Sequence, residues 1–87
     1  MTTNQNTPIL SLTDGRIKAA IWKNQSEKGA FYSVTFTRSY RDDTGDWHDT
    51  ESFSGTELLI LGRLSVRAYD AIAKLRSEDR SADADAA

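Results

Sequence analysis

The chain has 87 residues, 28% of them charged and 38% hydrophobic, with a formal net charge of −2. That length fits one domain. The absence of cysteine excludes disulfides, thiol chemistry and zinc fingers, no run is apolar for long enough to span a bilayer, and the polar N-terminus lacks a secretion signal, so a cytoplasmic location is expected.

Residues 1–8 are polar, contain the only proline and read as a disordered arm. Ile9–Thr13 alternates apolar and polar residues, Asp14-Gly15 follows, and Arg16–Asn24 alternates again. Asp-Gly between two such runs is a strong hairpin signal. A two-residue turn there sets Leu12 against Ile17 and Leu10 against Ala19. One face then gathers Leu10, Leu12, Ile17, Ala19 and Ile21, while Ser11, Thr13, Arg16, Lys18 and Trp22 keep the other.

The polar stretch Gln25–Gly29 is a second connection, closed by glycine. Ala30–Arg41 is rich in β-formers, with Val34 and Phe36 inward and Phe31, Ser33, Thr35, Thr37, Ser39 and Arg41 outward. Asp42–Gly45 reads as a type I turn with Gly45 in the left-handed position. Taken as a three-residue loop, it sets Arg41 opposite Trp47 and Thr35 opposite Phe53, in a fourth strand over Trp47–Phe53.

A helix begins at Ser54, where Ser54 and Glu57 have capping-box spacing and Phe53 and Leu58 sit as a hydrophobic staple. Leu58, Leu61, Leu64, Ala68, Ala71, Ile72 and Leu75 fall at helical intervals, with Leu59, Val66 and Tyr69 widening the stripe, and predict a helix to Arg76. The tail over 77–87 sets Glu78, Asp79, Asp83 and Asp85 against Arg80 alone and reads as a disordered acidic segment. The expected fold is α+β: one domain over 9–76, a four-stranded antiparallel meander followed by one C-terminal amphipathic helix (β-β-β-β-α). A core in a domain under about 70–80 residues rarely supplies more than ~3–5 kcal/mol, and dimerisation is the ordinary remedy.

Nothing in the chain reads as an active site, and no enzyme, cofactor or metal is expected. His48 is the only histidine. Asp46, Asp49 and Glu51 are close to it in sequence, but alternation along a strand turns His48 away from Asp49 and Glu51, so a solvated histidine is the better reading. The glycines are scattered singly and make no phosphate-cradling loop. On the helix, Arg63, Arg67 and Lys74, interrupted by Asp70, read as a solvated face.

The open sheet face carries more information. It gathers Arg16, Lys18, Trp22, Phe31, Thr35, Thr37, Arg41 and Trp47. Flat rings that stack on bases, beside cations that track phosphates, are what single-stranded nucleic acid requires. Burial of Trp22 and Trp47 in the core or in a dimer interface is the competing reading, and Asp49 and Glu51 on the same face oppose phosphate.

The motifs resemble a known family. Arg38-Ser39-Tyr40 near the end of the third strand, Asp-x-x-Gly-Asp from Asp42 to Asp46, and a Ser-Phe-Ser lead into a terminal amphipathic helix resemble the positive-cofactor-four class of transcriptional coactivators over about Gly29–Leu75. The resemblance implies homodimers packed through the helices, with single-stranded DNA on curved sheets and Arg38 as a DNA-contacting position. Arg41 stands where that family often has tryptophan, and Glu51 lies near its expected lysine. The hydrophobic alternation also sets Arg38 on the face of Val34 and Phe36. The segment Ser33–Trp47 is similar, besides, to a hairpin of bacterial single-stranded-DNA-binding proteins of the OB fold, although the helix at Ser54 does not fit that fold.

The expectation is a non-enzymatic protein that binds single-stranded DNA or RNA through Arg16, Lys18, Trp22, Phe31, Arg38, Arg41 and Trp47, as a transcription or replication accessory factor. A second copy is expected at the C-terminal helix, with no membrane and no small-molecule cofactor. The alternative is a protein-interaction module, a small inhibitor or adaptor, that uses the same face.

Overall fold

Four strands in sequence order make one antiparallel sheet, and a long helix lies across a single face of it. The structure, a computed structural model, describes residues 7–86; the arm expected over 1–8 falls mostly outside the described residues. The strands are β1 (Leu10–Asp14), β2 (Ile17–Ser26), β3 (Gly29–Arg41) and β4 (Trp47–Thr50). A 3-10 turn at Gly55–Glu57 leads into helix α1 (Leu58–Ala86). This is the expected β-β-β-β-α architecture. No helix among the described residues is long and apolar enough to cross a membrane.

The first hairpin corrects one expectation. Leu12 pairs with Ala19 and Asp14 with Ile17, so the loop is Gly15-Arg16 and the register is displaced by two residues. Gly15 takes the positive φ, 62°, and among the described residues no non-glycine has one. Positive φ at the first central position alone marks a type II′ turn, whereas Asp-Gly at the centre would have required it of the aspartate too. A shift of two leaves every side chain on its expected face. At the last hairpin Arg41 pairs with Trp47, as expected. Asp42 N–H donates to Asp46 O and Gly45 N–H to Asp42 O, and Gly45 has φ 90°.

β4 is shorter than its sequence suggests. It ends at Thr50, so Thr35 gains no partner at Phe53. Ser52 N–H turns back onto Thr50 Oγ1, and Arg38 Nε donates to Ser52 O at 3.1 Å. These two bonds take the chain off the sheet before Phe53 can pair.

On the covered face, Ile17, Ala19 and Leu64 form the buried centre, ringed by Leu12, Val34, Phe36, Phe53, Ile60 and Leu61. Ile21 and Ala68 are buried as well. The helix begins at Ser54, whose backbone N–H is accepted by Glu57 Oε1 at 2.8 Å. The staple expected at Leu58 is not what holds this end, because Leu58 is 57% exposed while Phe53 packs on the core.

Two features of α1 depart from expectation. Leu59, Val66 and Tyr69 do not widen the buried stripe but form a second apolar face pointing away from the sheet, exposed by 87%, 61% and 74%. And the helix runs on past Arg76 to Ala86. The alternating alanines favour helix, and Asp79 ties the extension to the sheet: it accepts the Tyr32 hydroxyl and pairs with Lys23 Nζ at 3.4 Å. The bond from Tyr32, then that from Lys23, holds the Asp79 carboxyl below the usual range.

Candidate nucleic-acid interface

The sheet face opposite the helix is built by register. Lys18 lies beside Thr37, Ala20 beside Thr35, Trp22 beside Ser33 and Asn24 beside Phe31. Across the last hairpin Arg41 lies beside Trp47 and Ser39 beside Asp49. Paired residues share a face, so Lys18, Trp22, Phe31, Arg41 and Trp47 all lie on the uncovered side, as expected. Arg16 comes to them from the first turn, where its carbonyl accepts Ser39 N–H at 2.9 Å.

The far end of this face gathers the closest group. Trp47 is 55% exposed. The Arg16 guanidinium sits 5.0 Å from its ring centroid and that of Arg41 5.6 Å. Both are within cation–π range. A shallow hollow that shares Arg16 with this group, but not Trp47 itself, is lined also by Thr13, Lys18, Thr37, Ser39 and Asp49. Asp49 puts a carboxylate in that lining, the anion the sequence warned of. Glu51 lies past the end of β4.

Trp22 and Phe31 form a second aromatic station. Eight residues of β3 separate Ser33, beside Trp22, from Arg41, beside Trp47, which at about 3.4 Å per residue is roughly 27 Å. Trp22 is half-buried and its Nε1 donates to Thr35 Oγ1 at 2.9 Å. That bond reaches toward the pair formed by Thr35 and Ala20, and so lays the indole along the sheet. Ala20 is correspondingly only 5% exposed although it faces the open side. Phe31 is 51% exposed. Between the stations the floor of β3 is the hydroxyls of Thr35, Thr37 and Ser39, and within the second station Asn24 Nδ2 donates to Ser33 Oγ at 3.0 Å.

Arg38 does not join this group. It pairs with Ile17, which is 2% exposed, and so lies on the helix side. There its Nε donates to Ser52 O and meets Glu57 Oε1 at 3.1 Å. No bulge relieves the alternation in β3, so the guanidinium that the family resemblance would assign to DNA instead fastens the β4–helix connection.

The loop that carries Trp47 is organised by one carboxylate. Asp42 Oδ1 accepts Thr44 N–H, Thr44 Oγ1–H and Asp46 N–H, while Oδ2 meets His48 Nε2 at 2.6 Å. The bond from the Thr44 hydroxyl, followed by that from His48, lowers the Asp42 carboxyl from 3.8 to about 2. His48 is thus held by Asp42 and stacked on Tyr40, ring centroids 5.4 Å apart, rather than free in solvent. Arg41 folds over the same loop, its Nε donating to Gly45 O at 3.3 Å. A Cβ at Gly45 would come 3.3 Å from Arg41 Nη2, so glycine serves both the left-handed φ and the position of the guanidinium. Sequence reasoning missed Asp42 as a hub; an aspartate two residues before a threonine in a turn is its signal. Among the described residues no cluster of three or more metal-ligating side chains occurs.

Comparisons with protein-family models, characterised proteins and solved structures find no match for the chain.

Proposed function

We propose that this protein binds single-stranded nucleic acid along its open sheet face. One observation carries the reading: Trp47 stands more than half exposed on an uncovered sheet, with the guanidinium groups of Arg16 and Arg41 within 6 Å of its ring. An unpaired base stacks on the indole while Arg16, Arg41 and Lys18 draw the flanking phosphates. Trp22 and Phe31 take up the strand again at the other end. The hydroxyl floor between them offers few fixed base contacts, so sequence is read poorly. A duplex, whose bases are already stacked, gains little from such a surface. Binding of this kind suits an accessory role in transcription or replication.

The second copy expected at the helix has a surface to use. Leu59, Val66 and Tyr69 recur at intervals of seven and three residues on the outward face of α1, the spacing of a coiled-coil seam.

The test is a titration of the protein with a labelled single-stranded oligonucleotide at several salt concentrations, following anisotropy and tryptophan emission. Binding should quench emission and weaken steeply with salt, with log K falling by about 0.7 per phosphate neutralised per decade. A binding constant that ignores salt, or no binding at low salt, defeats the proposal. The protein-interaction reading would then stand in its place.

A further inference from the structure

The two edges of the sheet are treated differently. On the β1 side the strand is five residues long, and the helix guards it: Arg67 Nη1 donates to Thr13 O at 3.4 Å and the Arg63 guanidinium binds the Asp14 carboxylate. On the other side β4 pairs with β3 only over Arg38–Arg41. The rest of β3, nine residues from Gly29 to Thr37, has no strand beyond it.

The ladder fixes which backbone groups are left over. In an antiparallel pair, alternate residues turn both N–H and C=O toward the same neighbour. Ser39 N–H donates toward β2, to Arg16 O, and Asp42 N–H donates toward β4's side, to Asp46 O. Odd residues of β3 therefore bond to β2, and even ones point away from it. Among the described residues, the outward groups of Ala30, Tyr32, Val34 and Phe36 have no backbone partner. The stretch itself, Gly29-Ala-Phe-Tyr-Ser-Val-Thr-Phe-Thr37, contains no charge and no proline. Long, uncharged, aromatic edges are those that proteins otherwise blunt with lysine, proline, bulges or a covering element. This one has none of these.

We infer that β3 is an assembly edge, where a second copy of this chain adds its own β3 in antiparallel register about a two-fold axis at Ser33. The free stretch is centred on Ser33, so self-pairing matches it from end to end without overhang. Ala30 meets the partner's Phe36 and Tyr32 meets the partner's Val34, satisfying all the outward groups on both chains. An isologous contact of this kind uses one patch twice, and an uncharged stretch sets no like charges against each other. The result is a continuous eight-stranded sheet with both open faces on one side. The contact is separate from the outward face of α1.

The chain has no cysteine, which allows a direct test. Ser33 is outside the β3–β4 pairing and exposed, and its outward neighbour at the axis would be the partner's Ser33 in a non-hydrogen-bonded pair. Such a pair has Cα atoms about 4.5 Å apart, within the range a disulfide spans. Under mild oxidation S33C should become a covalent dimer almost completely. T37C, on the same face of β3 but half-buried and four residues from the axis, should not. V66C reports separately on the helix face. In the otherwise unchanged chain, S33K should weaken self-association several-fold, read by light scattering as a mass moving from dimer toward monomer, and its unfolding midpoint should match that of the parent at dilutions where both are monomeric. S33C remaining monomeric, or S33C and T37C cross-linking equally, overturns the inference.

Discussion

The two faces of the sheet are made from the same strands, yet they depend on different physics. The covered face is a small dry centre in which Ile17, Ala19, Ile21, Leu64 and Ala68 are all at most 2% exposed. The open face has almost nothing buried; its one shielded side chain, Ala20, lies where Trp22 leans over it. Alternation along a strand sends neighbouring residues to opposite sides, so Arg38 and Arg41, three positions apart, have come to do unrelated things. One joins the helix to the sheet, and the other stands over an indole. The lesson is that a residue type marks a site only once its parity is known.

That contrast can be broken in four ways. The largest effect should come from Leu64→Ala, which removes a side chain with 0% exposure and should cost about 2–5 kcal/mol of stability in urea unfolding. Because a domain of this size has little stability to lose, the variant should be largely unfolded at ambient temperature. Next, Trp47→Ala should leave stability within about 0.5 kcal/mol and weaken oligonucleotide binding by about 1–3 kcal/mol, roughly 5- to 150-fold. If stability fell as far as for Leu64→Ala, the indole would belong to the core.

Arg41→Gln and Arg38→Gln then separate the two arginines. The first should lower the salt slope of binding by about 0.7 with unfolding unchanged. The second should lower the unfolding midpoint and leave the salt slope alone. The smallest effect is set by pH. Asp42, at about 2 in the folded chain against an ordinary 3.8, contributes stability that is present above pH 3.8 and is lost as pH falls through 2. Asp42→Asn should flatten the urea midpoint over that window relative to the natural chain.

Much of the fold was legible because the strands alternate cleanly and turn residues punctuate them. Gly45 after Asp42 gave the last hairpin its register, and the faces of the first survived a two-residue slip because the side-chain period is two. What could not be read was decided by partners distant in sequence. The end of β4 depends on Arg38 reaching Ser52, and the helix extension depends on Asp79 finding Tyr32 and Lys23. Helical periodicity marks apolar positions but not how wide a face one sheet can cover, so Leu59, Val66 and Tyr69 merged with the buried stripe. For the site, six of the seven residues expected there are on the open side. Arg38, suggested by the family motif against its own parity, is not.

The strand order has a kinetic consequence. Every strand pairs with its neighbour in the chain, so the sheet can close by successive hairpins, each an event of about 1–10 μs, without waiting for any distant segment. Only the helix must come back from afar, and its last hold is the latch from Asp79 to Tyr32 and Lys23. We expect that latch to form after the rate-limiting barrier: in stopped-flow measurements Asp79→Asn should hasten unfolding and leave the folding rate as it was.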